Sequence, residues 1–161
     1  DENGNGVPDG WQGKDKTGDK LMCNDEDHIF AHTGLCAFRF KGGPNEQSKL
    51  SQKVLLDGLN FAVDDQLNFS VYVNALKSKA KGTIKVRVKY GDLDTKGKIT
   101  KQFVKTDGYE AVEGTIVIAS TDVITIKVVF KHTSPSGKIY IDDGSIRWVS
   151  GGGAIALPLA P

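Results

Sequence analysis

Several features that the 161-residue sequence lacks narrow what the chain can be. No run approaches the roughly 18 apolar residues that a helix needs to cross a bilayer, so no membrane insertion is predicted. A zinc site built on Cys23 and Cys36 is not predicted, because no second pair of ligands stands at zinc-like spacing. The histidines (His28, His32 and His132) lack His-Glu-x-x-His spacing, and no Gly-x-Ser-x-Gly elbow or phosphate-binding loop is present. The sequence therefore predicts a protein that is not an enzyme, with His32 and His132 at the surface or at strand ends.

The sequence also lacks the 3.6-residue periodicity of a long helix, whereas apolar and polar residues alternate repeatedly. The clearest alternation is in 66–75, 83–90 and 123–131, and it is typical of strands with one buried face. Weaker strands are predicted at 35–40, 49–56, 98–104, 115–119 and 138–149. Many short strands joined by Gly-, Asp- and Pro-containing turns predict an all-β, two-sheet antiparallel β-sandwich (jelly roll) over 1–149.

The charge is balanced overall but unevenly distributed along the chain. Residues 1–30 carry eight acidic and three basic residues, whereas 77–105 carry ten basic and two acidic ones. Such a basic segment suggests nucleic acid, but Lys85, Arg87 and Lys89 alternate with apolar residues, and lysines often protect a sheet edge from pairing. No interleaved aromatic residues are available to stack bases. We therefore predict no nucleic-acid partner.

The first twelve residues have oxygen-bearing groups at the spacing of a calcium-binding loop. Side chains at loop positions 1, 3, 5 and 9 and a backbone carbonyl at position 7 would supply the ligands: Asp1, Asn3, Asn5, Asp9 and Val7. Gly6 stands where such a loop turns sharply. Because Gln12 replaces the usual bidentate Glu, we predict weak Ca²⁺ binding, with a dissociation constant on the order of 10⁻⁴–10⁻³ M. The alternative is an Asn-Gly turn without a metal.

Cys23 and Cys36, with twelve residues between them, are predicted to form a disulfide in an oxidising compartment. Closing a loop of this length contributes about 3 kcal/mol in the chain-entropy model. Two unrelated buried thiols are the alternative. The chain begins at Asp1 without a visible signal peptide, as expected of a processed chain or of a domain cut from a longer one. The predicted location is extracellular or at the cell surface.

Parts of the sequence resemble known extracellular families. Asp1–Trp11 resembles the calcium loop of thrombospondin type 3 and dockerin repeats. The segments Asn5–Trp11, Ala31–Phe40 and Lys138–Asp143 are similar to those of jelly-roll, carbohydrate-binding-module-like domains of bacterial secreted proteins, and the likeness covers nearly all of 1–149. It implies the same jelly-roll fold for this chain.

The resemblance also implies a role for the acids near the end of the last predicted strand. In that family an acid at this position helps to bind a structural calcium ion, which here would be Asp142 or Asp143; two turn acids without a metal are the alternative. Adjacent residues of a regular strand point to opposite faces, which excludes an acid–base pair. Family members usually begin with a strand before the calcium loop and have an apolar residue where Gly144 stands. Both departures leave apolar space beside the final strand.

Two functions remain open. Residues 150–161 are a glycine hinge followed by an apolar tail that could add a strand to the next copy of the chain. The strand would consist of Ala154, Ile155, Ala156 and Leu157. A head-to-tail contact of this kind builds a filament of identical subunits, which is the favoured prediction. The alternative is a carbohydrate-binding module in which Tyr72, Asn68 and Asn74, on the outward face of one strand, contact a polysaccharide.

Overall fold

The computed structural model describes residues 4–15, 18–56, 58–75, 79–150 and, for the backbone alone, 153–157. Asp1 and Asn3 of the predicted calcium loop, Gly151 and Gly152 of the predicted hinge, and 158–161 lie outside the described residues. The described strands are β1 Gln12–Lys14, β2 Lys20–Cys23, β3 Cys36–Lys41, β4 Lys49–Val54, β5 Gln66–Asn74, β6 Gly82–Tyr90, β7 Lys96–Gln102, β8 Tyr109–Val117, β9 Val123–His132, β10 Lys138–Ser150 and β11 Gly153–Leu157.

The strands form the two antiparallel sheets of a jelly-roll β-sandwich, which confirms the predicted fold class. One sheet has the order β1-β4-β9-β6-β7, and the other has the order β2-β3-β10-β5-β8, with β11 added to β10. The part of the chain that the structure describes contains no helix long and apolar enough to cross a membrane.

The core lies between the sheets and is built from the predicted alternation. On β5 the inward residues are 1–2% exposed and on β6 no more than 2%, whereas the residues between them are half-buried or exposed. Each fully buried aliphatic or Phe side chain contributes roughly 1.5–3 kcal/mol through the hydrophobic effect. Strands β1 and β2 were not predicted from the sequence, because β1 has three exposed residues and β2 has apolar residues side by side.

The C-terminal tail pairs within its own chain. Strand β11 runs antiparallel to β10, with Leu157 opposite Ile146 and Gly153 opposite Ser150. It lies on the same edge of β10 as β3, which pairs only with the first part of that strand. The predicted insertion of Ala154, Ile155, Ala156 and Leu157 into another copy is therefore not the arrangement found, and self-association stays a prediction.

The outer face of the five-stranded sheet is strongly basic. Lys53, Lys127, Arg87 and Lys98 stand directly opposite one another across four neighbouring strands. Burial, together with Lys49, Lys53 and Arg87, lowers the pKa of Lys127. The interpretation of the β6 cations as edge protection is wrong, because β6 is flanked by β9 and β7 and pairs with both.

We predict that replacing Lys127 by Glu raises the free energy of unfolding. Like charges directly opposite on a sheet repel, and opposite charges contribute roughly 0.2–1 kcal/mol per pair. The gain should be largest at low ionic strength and should shrink in about 1 M salt, where the screening length falls to about 3 Å. Urea unfolding at both salt concentrations measures it, with Lys105→Glu, outside the strands, as the control. A gain that is absent, or that salt does not change, would contradict this account.

Candidate functional site

The loop between β2 and β3, residues 24–35, is called the covering loop because it lies against the outer face of the six-stranded sheet. Cys23 and Cys36 stand directly opposite each other at its base and form a disulfide, which confirms the predicted pairing. Within the loop, Asn24 Oδ1 accepts the backbone amides of Phe30 and Ala31. The sequence folds locally into a loop that is closed by one covalent bond and supported by one amide side chain.

A bulge in β10 holds the covering loop in place. The pairing of β10 with β5 shifts between Asp142 and Ser145, and Asp143 has a φ of 49°. As a result both carboxylates face the loop: Asp142 Oδ2 accepts the His32 amide at 2.8 Å, and Asp143 Oδ1 accepts the Thr33 hydroxyl at 2.6 Å. The expectation that these adjacent acids point to opposite faces is wrong, because it assumed a regular strand. Burial raises the pKa of Asp142.

Aromatic rings fill the space beneath the covering loop. The His32 ring stacks on Tyr72 with centroids 3.8 Å apart, and Tyr109 lies tilted beside it at 5.2 Å. Phe30 stacks on Tyr140, and the Tyr109 hydroxyl donates to the Phe30 carbonyl. Burial, followed by the negative charge of Asp142, raises the pKa of Tyr109. His32 thus occupies one face of the Tyr72 ring, whose role in sugar binding stays a prediction.

An open polar cleft remains on the part of the same sheet face next to the covering loop. Its volume is about 490 Å³, and it is bordered by Tyr72 and lined mainly by polar side chains from β5, β8 and β10: Asn68, Ser70, Glu113, Thr115, Asp143, Ser145 and Arg147. Asn68 Oδ1 accepts the Thr115 hydroxyl at 2.8 Å. Of the predicted glycan residues, Asn68 and Tyr72 line this cleft, whereas Asn74 stands further along β5, opposite Tyr109.

Glu113 and Arg147 were missed by sequence reasoning. They come next to Asn68 and Ser70 only through the register of β8 and β10 against β5. Nothing in a single sequence fixes that register, so the outward position of each residue on its own strand was the only available signal.

The described part of the predicted calcium loop has a tight turn. Asn5 Oδ1 accepts the Val7 amide at 2.8 Å, and Gly6 has a φ of 74°. Asp9 lines a cavity of about 600 Å³ together with Asp142 and Asp143, so the structure brings these three predicted metal ligands to one region. Apolar side chains also line this cavity, next to the final strand, where the sequence predicted apolar space.

A second set of polar residues was not anticipated as a site. Asp19, Glu46 and His132 are buried together, and they are the only group of three potential metal-ligating side chains found among the described residues. His132 was predicted to lie at the surface or at a strand end, and it does end β9, but its side chain is fully buried. The available signal was the alternation of β9, in which His132 follows the inward-facing Val128 and Phe130.

Comparison with known proteins identifies the fold. No family model and no curated protein matches this chain. A family 16 carbohydrate-binding module is similar in structure, with a TM-score of 0.61 and 19% identity over 91% of this chain and 97% of that one. The family 61 module TmCBM61, solved with β-1,4-galactotriose, has a TM-score of 0.58 and 19% identity over 88% and 90%.

A third similar structure is the CBM22-1 xylan-binding domain from Paenibacillus barcinonensis Xyn10C. Its TM-score is 0.57 and its identity 16%, over 91% of this chain and 90% of that domain. At such identities the similarity establishes the fold alone. The chain therefore has the β-sandwich architecture seen in carbohydrate-binding modules.

We predict that replacing both Cys23 and Cys36 by Ser lowers the free energy of unfolding by about 3 kcal/mol, because the unfolded chain regains the entropy of an open loop. The variant should also expose the stacked rings, which near-ultraviolet circular dichroism detects. Urea unfolding measures the stability, and the wild type under reducing conditions should match the variant. Equal stability of oxidised and reduced protein would contradict the prediction.

Proposed function

We propose that this domain binds a polysaccharide in the open polar cleft formed by β5, β8 and β10. The observation that carries the proposal is the cleft itself, which offers hydrogen-bonding side chains from three adjacent strands next to an aromatic ring. Similar folds have been solved with β-1,4-galactotriose or described as xylan-binding, so a β-linked polysaccharide of this kind is the proposed ligand class. The role is binding without catalysis.

The side chains of the cleft suit sugar hydroxyl groups. Glu113 accepts and Arg147 donates hydrogen bonds, and bonds to charged groups are worth about 1.5–3 kcal/mol each. Asn68, Thr115 and Ser145 add neutral donors and acceptors. Because the covering loop occupies the neighbouring part of the face, the glycan would run along the exposed part of β5 and β8. With His32 already on Tyr72, affinity would come mainly from hydrogen bonds.

We predict that Arg147→Ala and Glu113→Ala each weaken polysaccharide binding by about 10-fold or more, the equivalent of one lost charged hydrogen bond. Native gel electrophoresis through gels containing β-1,4-galactan or xylan measures the affinity as retarded migration. Lys85→Ala, on the outer face of the other sheet, is the matched control and should migrate like the wild type. The proposal is wrong if no polysaccharide retards the wild type, or if both cleft variants are retarded as strongly as the control.

We also propose that the N-terminal loop binds Ca²⁺ through Asp1, Asn3, Asn5, Val7 and Asp9. The ion would stabilise this loop and would not contact the glycan. The turn at Asn5–Val7 supports this proposal, because it keeps the loop tight. Asp142 and Asp143 are proposed as additional calcium ligands on the family resemblance, supported by the cavity that they share with Asp9.

We predict that Ca²⁺ raises the melting temperature of the wild type but not of Asp1→Ala. At ten times the dissociation constant, ligand binding stabilises by about 1.4 kcal/mol, which is about 3–5 °C for a domain of this size. Differential scanning calorimetry of metal-free protein, with and without added calcium, measures the difference, and Asp27→Ala, an acid of the covering loop, is the control. Identical melting curves of the wild type with and without calcium would rule out the site.

An extracellular or cell-surface location is part of the proposal, and the disulfide supports it because such bonds persist in oxidising compartments. Filament assembly is not part of the proposal. Its main support was an unpaired apolar tail, and β11 pairs with β10 of the same chain. Polysaccharide binding therefore replaces assembly as the favoured function.

A further inference from the structure

Three ionisable side chains are buried together where β3 and β9 end. His132 is 0%, Asp19 6% and Glu46 8% exposed, and each offers a ligand atom within 4.8 Å of the others. The residues come from different parts of the chain: Asp19 precedes β2, Glu46 follows β3, and His132 ends β9. Charged groups are rarely buried to this extent unless they are paired or bind a metal.

The hydrogen bonds of the cluster leave two of its buried atoms unsatisfied. Asp19 Oδ1 accepts the Lys41 amide at 2.7 Å, and Glu46 Oε1 accepts the Ser48 amide at 2.8 Å. Asp19 Oδ2 and His132 Nε2, in contrast, have no hydrogen-bond partner. A buried polar atom without a partner costs about 1–3 kcal/mol. Two such atoms in one cluster are therefore available to bind a partner.

The charge of the cluster indicates that this partner is a cation. In the described part of the chain, no Lys or Arg forms an ion pair with Asp19 or Glu46. The positive charge of Arg39 also acts on Asp19, but its guanidinium donates to the Gly18 carbonyl at 2.8 Å. The His132 ring offers a nitrogen as a ligand atom, and its stacking against Phe40, with ring centroids 5.0 Å apart, restrains the plane of the ring.

We propose that Asp19, Glu46 and His132 form a structural site for a divalent transition-metal ion, with Zn²⁺ as the best fit. Zn²⁺ binds imidazole nitrogen and carboxylate oxygen together, whereas Ca²⁺ takes oxygen ligands. Tetrahedral bonds of about 2.0–2.2 Å place ligand atoms about 3.4 Å apart, so the three side chains would draw together on binding. A water molecule would complete the shell, and Glu46 also lines an open cleft of about 580 Å³.

The proposed metal site shares no residue with the predicted calcium loop. It also lies apart from the open polar cleft that is proposed to bind the polysaccharide. Its ligands tie the segment before β2 and the loop after β3 to the end of β9. Binding would therefore stabilise the fold rather than contact the polysaccharide, and the proposal does not depend on glycan binding.

Cobalt provides a direct spectroscopic test, because bound Co²⁺ absorbs visible light in a way that reports its ligands. The full chain, prepared without a histidine tag and freed of metal with a chelator, is titrated with Co²⁺ and then with Zn²⁺. We expect one visible spectrum to appear at one equivalent of Co²⁺ and to disappear when Zn²⁺ displaces it. Zn²⁺ should raise the melting temperature, whereas Mg²⁺ should not.

Variants test which residues bind the metal. His132→Gln and Glu46→Gln should each weaken Zn²⁺ binding by more than about 100-fold. Removing a ligand should cost at least as much affinity as replacing a residue that only supports a ligand. The control is the double variant Asp25→Asn, His28→Gln, which removes an exposed carboxylate–imidazole pair 2.9 Å apart and should bind Zn²⁺ like the wild type. If the buried variants do not fold, X-ray absorption at the zinc edge of the wild type should show one imidazole among oxygen ligands.

The proposal is overturned if the wild type binds neither ion at micromolar concentrations. It is also overturned if the control variant abolishes binding while the buried variants retain it, or if the zinc spectrum shows several imidazoles or a sulfur ligand.

Discussion

The contact between the covering loop and the two carboxylates of the β10 bulge determines which part of the sheet face is open. Asp142 and Asp143 accept hydrogen bonds from His32 and Thr33, and the disulfide between Cys23 and Cys36 closes the base of the loop. Bonds to charged groups are among the stronger ones in proteins. If this contact were lost, the loop would release the rings stacked beneath it, and the boundary of the polar cleft would disappear. The bulge is therefore the feature on which the proposed binding surface depends.

The sandwich gives its two outer faces different characters. One carries a row of four cations across neighbouring strands, and the other carries the covering loop and the polar cleft. Between the sheets the core is apolar, and at its edge lies the cluster of Asp19, Glu46 and His132. The loops and the cluster confer the chemistry, whereas the alternating strands supply a rigid frame, as is common when one fold supports several functions.

The sequence alone predicted the frame well, because burial between two sheets requires every second residue to be apolar. Strands β5, β6 and β9 were evident for this reason, and β10 and β3 followed the same rule. The candidate site was harder to predict from the sequence. A bulge changes the direction of Asp143 without any signal in the alternation, and the register that joins Arg147 to Asn68 is a property of strand pairing. His132 continued the inward pattern of β9, but its partners Asp19 and Glu46 are too distant in sequence to be recognised from that pattern.

The position at which a glycan contacts the sheet tests the proposed function most directly. Titrating isotopically labelled protein with β-1,4-galactan or xylan oligosaccharides, and following the amide resonances by NMR, measures this position residue by residue. We predict that the largest shifts cluster on Asn68, Glu113, Thr115 and Arg147, with little change on the basic face of the other sheet. Shifts confined to that basic face, or absent with every oligosaccharide, would contradict it.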